Sequence, residues 1–109
     1  MSTQTTSYPK EKIKWLLLEN ISEKAIQVIH SNGYHHIKKI SGALSEEELI
    51  HEIKDVHLLG IRSKTQVTEK VLKAATKLQA IGCFCIGVNQ VDLKAASEAG
   101  IAVFNAPYS

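Results

Sequence analysis

The strongest constraint on how this chain folds is the stretch AIGCFCIGVNQVD, from Ala80 to Asp92. Its first half, Ile81 to Ile86, is a continuous apolar run of strand length. That is the pattern of a strand buried on both faces of a parallel sheet. The run turns at Gly87 and reaches Asp92, a residue type that caps helices, ahead of LKAASEA. A buried strand, a glycine turn and a helix start place backbone N–H groups at the carboxyl edge of a sheet. Open α/β sheets take ligands at that edge, and anions are favoured there. An ordinary strand-to-helix connection has the same pattern, and both readings stand on this stretch alone.

The rest of the chain alternates in the same way. Residues 1–11 are polar and rich in Ser and Thr, with nothing to bury, and read as a flexible leader. Lys12 to Glu19 carries the apolar run of a first strand. Ser22 caps a helix with an apolar stripe at Ala25, Ile26, Val28 and Ile29, which Asn32-Gly33 ends. Tyr34 to Ile40 is a more polar strand, suited to a sheet edge. Ser45 and Glu48 form a capping box before Leu49, Ile50 and Ile53. Val56 to Ile61 is a third strand. Thr68 caps a third helix with its stripe at Val71, Leu72, Ala75 and Leu78. After Ile81 to Ile86 come the helix Leu93 to Ala99, a stop at Gly100, and a fifth strand, Ile101 to Phe104. Five strands and four helices on short connections imply an α/β fold. The expected form is a flavodoxin-like, doubly wound, five-stranded parallel sheet in the order 2-1-3-4-5, with Ile81 to Ile86 central.

Composition excludes several partners. The net charge of +2 comes from 13 Lys and Arg scattered among 11 acids, without the basic tract that nucleic acid requires. No apolar run approaches the ~20 residues of a membrane span, and no signal-peptide core is present, so a cytoplasmic location is expected. Cys83 and Cys85 fall on one face of a strand and read as small buried hydrophobes. Their spacing suits neither a metal nor a mutual disulfide. The five histidines, His30, His35, His36, His51 and His57, read as surface or strand residues. They have no metal-ligand spacing, and His35 and His36 point to opposite faces.

With the topology above, the carboxyl edge gathers Glu19-Asn20, Arg62-Ser63-Lys64, Gly87-Val88-Asn89 and Asn105. Two cations and backbone amides at one edge suit a small dianion, with a guanidinium able to grip carboxylate or phosphate at two points. A solvated, functionless loop has the same composition. The segments GCFCIGVNQVD, GIRSKT and VFNAP resemble the NAD-dependent D-2-hydroxyacid dehydrogenase family, and within it the phosphoglycerate dehydrogenase branch. Many members read Gly-Val-Asp-Asn at the turn where this chain reads Gly87-Val88-Asn89-Gln90. The resemblance implies that Arg62, Ser63 and Lys64 bind a small phosphorylated hydroxy acid. It implies that the backbone amides of Gly87 and Val88 bind its carboxylate, with Asn89, at the position of the commoner Asp, in the same substrate-binding turn.

The resemblance further implies a parent enzyme that oxidises 3-phospho-D-glycerate to 3-phosphohydroxypyruvate with NAD, on the way to serine, as a homo-oligomer. The six glycines make no G-x-G-x-x-G. The family's cofactor domain and its catalytic Arg, Glu and His come later than this segment. The expectation is therefore that residues 12–109 are the N-terminal part of a substrate-binding domain, inactive alone, with no catalytic, cofactor-binding or metal-binding residue of its own. The competing reading is a stand-alone α/β binding or regulatory module. A receiver domain is excluded, because the third strand leads into Arg62-Ser63 rather than an acceptor Asp.

Overall fold

A computed structural model describes residues 12–84 and 90–105. The chain forms β1 (Lys14–Leu17), α1 (Glu23–Ser31), β2 (His36–Lys39), α2 (Glu46–Ile53), β3 (Leu58–Ile61), α3 (Glu69–Ala74), β4 (Ala80–Cys83), α4 (Leu93–Glu98) and β5 (Ala102–Asn105). All five strands are parallel, in the order β2-β1-β3-β4-β5. This is the doubly wound order expected from the alternation, with the polar strand β2 on an edge.

The punctuation works as its residue types dictate. The side chains of Ser22, Ser45, Thr68 and Asp92 accept the backbone N–H three residues on, at Ala25, Glu48, Val71 and Ala95. At α2 the Glu48 carboxylate also accepts the Ser45 amide, completing the capping box. Gly33 and Gly100 follow the ends of α1 and α4 at φ 93° and 75°, where any side chain would be strained.

Strand alternation sorts the apolar residues onto two faces. One core packs Leu16, Leu59, Ile61, Ile81 and Cys83 of the sheet against Leu49 and Ile53 of α2, Val71 and Leu72 of α3, and Ala96 of α4. The other packs Leu17 and Phe84 against Ile21 and against Ala25, Ile26 and Ile29 of α1. Three helices thus cover one face and a single helix covers the β1 end of the other. There β3 and β4 present Gly60 and Gly82, and the Phe84 and Phe104 rings lie over them.

The strand expected over Ile81 to Ile86 is described as β4, Ala80–Cys83, and is enclosed between β3 and β5, as the expected order requires. Residues 85–86 lie outside the described set, Cys85 with them, while Cys83 is fully buried. Two local expectations are corrected. The third helix stops at Ala74, yet Ala75 and Leu78 remain buried beyond it, because a turn keeps them against the same core. His57 is buried rather than superficial: its Nδ1 accepts the Lys14 amide at 3.0 Å, and its own amide returns to the Lys14 carbonyl at 3.0 Å. This reciprocal pair extends the β1–β3 ladder by one residue.

Candidate functional site

At the carboxyl ends of β1 and β3 the backbone does something that the periodicity does not foretell. Glu19 and Asn20, directly after β1, both adopt left-handed conformations, with φ of 63° and 55°. Asn tolerates this region, but for Glu it costs of order 1–3 kcal/mol unless the surroundings hold it. Here they do. The Glu19 amide donates to the Gly42 carbonyl at 3.1 Å, and the Asn20 amide to the Ile40 carbonyl at 3.3 Å. The Glu19 side chain, only 7% exposed, turns into the loop after β3. Its Oε2 accepts the amides of Arg62 (2.9 Å) and Thr65 (3.0 Å), and its Oε1 accepts that of Lys64 (2.8 Å).

One buried carboxylate therefore satisfies three amides of a four-residue loop. Burial pushes the Glu19 carboxyl up, but the Lys64 amide, the neighbouring Thr65 hydroxyl and the amides of Arg62 and Thr65 together outweigh it. The group is held below its ordinary range and is ionised at neutral pH. The loop is fastened from its other side too. Gln90 Nε2 donates to the Arg62 carbonyl at 2.6 Å. The Val67 amide donates to the Gln90 carbonyl at 2.8 Å, and the Asp92 amide to the Val67 carbonyl at 2.9 Å. Residues 90–92 thus clasp the loop from the β4 side and lead into α4.

With three of its four amides engaged, the loop presents side chains. Arg62 is half-buried, and Ser63 and Lys64 are exposed. Among the described residues neither Arg62 nor Lys64 makes an ion pair. They line a cleft of about 310 Å³ with Glu19 and with Ser41, Gly42 and Ala43 from the turn after β2. Of the residues expected at this edge, the structure brings Glu19, Arg62, Ser63 and Lys64 together. Asn105 ends β5 outside the cleft lining, and Asn20 opens onto a different depression. Gly87, Val88 and Asn89 lie outside the described residues. The expectation of free backbone amides is corrected for the Arg62 loop: its donors at 62, 64 and 65 are already bonded to Glu19. An anion entering the cleft meets the guanidinium, the ammonium and the hydroxyl instead.

A larger cleft, about 830 Å³, lies at the opposite end of the sheet, beside the starts of β1 and β2 and the end of α2. Its charged walls are largely self-neutralised, with Lys14 on Asp55 at 2.6 Å and Lys38 on Glu52 at 2.8 Å. It also faces away from the strand ends where such sheets take ligands. The smaller cleft is thus the better candidate on chemistry, despite its size. Among the described residues no three His, Cys, Asp or Glu come together as a metal site would require, and no helix is long and apolar enough to cross a membrane. The first strand-to-helix turn, where dinucleotides dock in many such folds, is Leu18-Glu19-Asn20-Ile21 and offers a carboxylate in place of glycines. Its residues do not fit NAD.

Sequence reasoning placed Glu19 at the right edge but missed its task. The only available signal was an acid directly after an apolar strand, and nothing in the spacing says that it folds back onto residues 43 or more positions later.

Residues 15–109 match the family model described as D-isomer specific 2-hydroxyacid dehydrogenase, catalytic domain. The chain is 56% identical over 104 residues to D-3-phosphoglycerate dehydrogenase of Dictyostelium discoideum, covering 95% of this chain and 25% of that protein. It is 53% identical over 103 residues to D-3-phosphoglycerate dehydrogenase of Escherichia coli (strain K12), covering 94% and 25%. It therefore spans about a quarter of the length of these curated relatives. The NAD+-bound 3-phosphoglycerate dehydrogenase structure from Entamoeba histolytica shares the fold, with a TM-score of 0.72 at 21% identity, over 87% of this chain and 32% of that one.

Proposed function

The chain belongs to the D-isomer specific 2-hydroxyacid dehydrogenase family, and from that membership we propose that it supplies the substrate-holding part of a 3-phosphoglycerate dehydrogenase. The relatives at 50% identity and above carry that enzyme's name, and the cleft has the chemistry that its substrate demands. 3-Phosphoglycerate bears a carboxylate and a phosphate. Arg62 offers a planar fork to either group, Lys64 adds a positive charge, and Ser63 adds a hydroxyl donor. Gly87, Val88 and Asn89, which the family resemblance assigns to the substrate, complete the proposed site. The single observation that carries the reading is Arg62 and Lys64, neither in an ion pair among the described residues, on one cleft at the carboxyl edge of the sheet.

Residues 12–109 then form the N-terminal part of the substrate-binding domain. NAD supplies the hydride acceptor in the whole enzyme and is held by the part of the relatives that this chain does not span. No residue of this chain takes part in the hydride step. The chain by itself neither binds NAD nor turns over 3-phosphoglycerate, and a calorimetric titration showing micromolar NAD binding would count against this.

The test is a chimaera in which this chain replaces the matching quarter of the Escherichia coli relative. A charge-assisted contact contributes roughly 1.5–3 kcal/mol, so Arg62→Ala should lower kcat/KM for 3-phosphoglycerate about ten- to hundredfold. Lys64→Ala should cost less, because an ammonium lacks the fork. The Arg62 side chain is half-exposed, so stability should change by less than about 0.5 kcal/mol. An unchanged kcat/KM in the Arg62 variant would remove the site assignment.

A further inference from the structure

We propose that Glu19 is the positioning residue of the anion site: it sets the loop Arg62–Thr65 in the shape that aims Arg62 and Lys64 into the cleft. The proposal rests on the substrate reading of that loop and deepens it. Three observations converge on Glu19. It adopts a left-handed φ of 63°, a conformation that a non-glycine residue keeps only when its surroundings over-determine it. Its carboxylate is buried and receives the amides of Arg62, Lys64 and Thr65 at 2.8 to 3.0 Å. It lies in the wall of the same cleft as the two cationic side chains.

The arrangement is electrostatically odd for an anion site, and that oddity makes it informative. Coulomb's law says that a carboxylate beside Arg62 and Lys64 opposes a second anion. A carboxylate whose only effect were its charge would be a liability there. It becomes useful if its work is done through the backbone. By taking three amides, it fixes the φ and ψ of the loop and directs the side chains of residues 62 and 64. The cost of ordering them is then met at folding rather than at binding. The engaged amides also leave recognition to a guanidinium and an ammonium, which discriminate a dianion from a neutral hydroxy acid by charge.

The two pictures predict opposite signs for one substitution. Glu19→Gln keeps the size of the side chain and removes its charge. On charge alone, 3-phosphoglycerate should bind more tightly to the variant. With Glu19 as positioning residue it should bind about tenfold more weakly, because charge-assisted bonds to three amides are lost or weakened. The measurement uses the 109-residue chain, followed by amide nuclear magnetic resonance during titration with 3-phosphoglycerate, together with hydrogen exchange. In the parent chain the amides of Arg62, Lys64 and Thr65 should be protected well above that of Ser63. In Glu19→Gln they should lose about tenfold in protection while Leu16 and Leu59 keep theirs, separating the loop from the fold.

Glu19→Asp retains the charge but falls one methylene short, and should show the same loss of protection and affinity. It also serves if the Gln variant does not fold. Equal or tighter binding by Glu19→Gln, or amides at 62, 64 and 65 that exchange as fast as Ser63 in the parent chain, would overturn the proposal. Arg62→Ala is the control for its premise. If Arg62→Ala weakens binding and the Glu19 variants do not, the site stands and Glu19 has no positioning role. If the parent chain shows no phosphoglycerate-induced shift, or Arg62→Ala leaves affinity unchanged, the site reading fails and the proposal falls with it.

Discussion

Gly60 offers a quantitative test of how the Arg62 loop is placed. It sits on β3 two residues before Arg62, on the face packed against the start of α1. A Cβ built there would lie 2.6 Å from Leu17 Cδ2, 3.0 Å from Phe84 Cε1 and 3.1 Å from Ile21 Cδ1. Carbon atoms pack best at about 3.5–4.0 Å, so all three contacts are too close and the first falls about 1 Å short. None of the three neighbours is free to retreat, since Leu17, Phe84 and Ile21 are 1%, 5% and 5% exposed. Overpacking of this kind costs about 1–3 kcal/mol. Against it stands the ~0.4–1 kcal/mol that alanine recovers by restricting the unfolded chain. Gly60→Ala should therefore destabilise by about 1–2 kcal/mol, equivalent to roughly 5–15 °C in Tm for a domain of this size.

The other glycines calibrate the argument. A Cβ at Gly82 would meet Phe104 Cζ at 3.1 Å, Phe104 Cε2 at 3.2 Å and Phe84 Cε1 at 3.3 Å. Phe104 is 46% exposed and can swing outward, so Gly82→Ala should cost less than Gly60→Ala. A Cβ at Gly42 meets nothing within 4 Å, and Gly42→Ala should be neutral to within about 0.5 kcal/mol. Urea melts of the three variants, compared at equal m-value, give the ranking directly. A neutral Gly60→Ala, or a Gly82→Ala that costs as much, would refute the packing account of how β3 is held against Leu17, Ile21 and Phe84.

Acid should weaken the fold in two stages. Burial depresses His57, as do the cations of Lys77 and Lys14, only partly opposed by Asp55, and its Nδ1 is committed to the Lys14 amide. The unfolded chain then takes up a proton that the folded one resists. Stability is full above the ordinary value of 6.5 and falls as pH drops from there toward the folded value. Glu19, also depressed, adds a second loss as pH falls below its ordinary 4.5 and through its folded value. Urea midpoints between pH 8 and 4 test this: His57→Asn should flatten the upper stage alone, and a midpoint constant from pH 7 to 5 would contradict the assignment. In a Cys85→Ser background Cys83, fully buried, should react with an aromatic disulfide reagent only at the rate of unfolding, and rapid native-state labelling would contradict its place in the core.

The order of the sheet was legible because each decision is local. Apolar runs of strand length, caps at Ser22, Ser45, Thr68 and Asp92, and stops at Gly33 and Gly100 leave little freedom once crossovers are right-handed. Element ends were less legible, since apolar periodicity reports burial rather than helicity: Ala75 and Leu78 are buried without being helical.

The site divides along the same line. That Arg62, Ser63 and Lys64 follow a strand end is a one-dimensional fact, and the sequence places it correctly. That their loop has a fixed shape depends on Glu19, 43 residues from Arg62 in the chain and 46 from Thr65. It also depends on Gln90, 28 residues from Arg62 on the other side. These are polar contacts between strand ends that become neighbours only when β1, β3 and β4 lie side by side. A polar residue after a strand has many possible partners, and spacing carries no trace of which one it finds. The edge of a doubly wound sheet can therefore be read from sequence as a place for ligands, whereas the conformation of its loops follows from the order of the strands. Here that order sets β1 beside β3, and so sets Glu19 beneath the loop that carries Arg62 and Lys64.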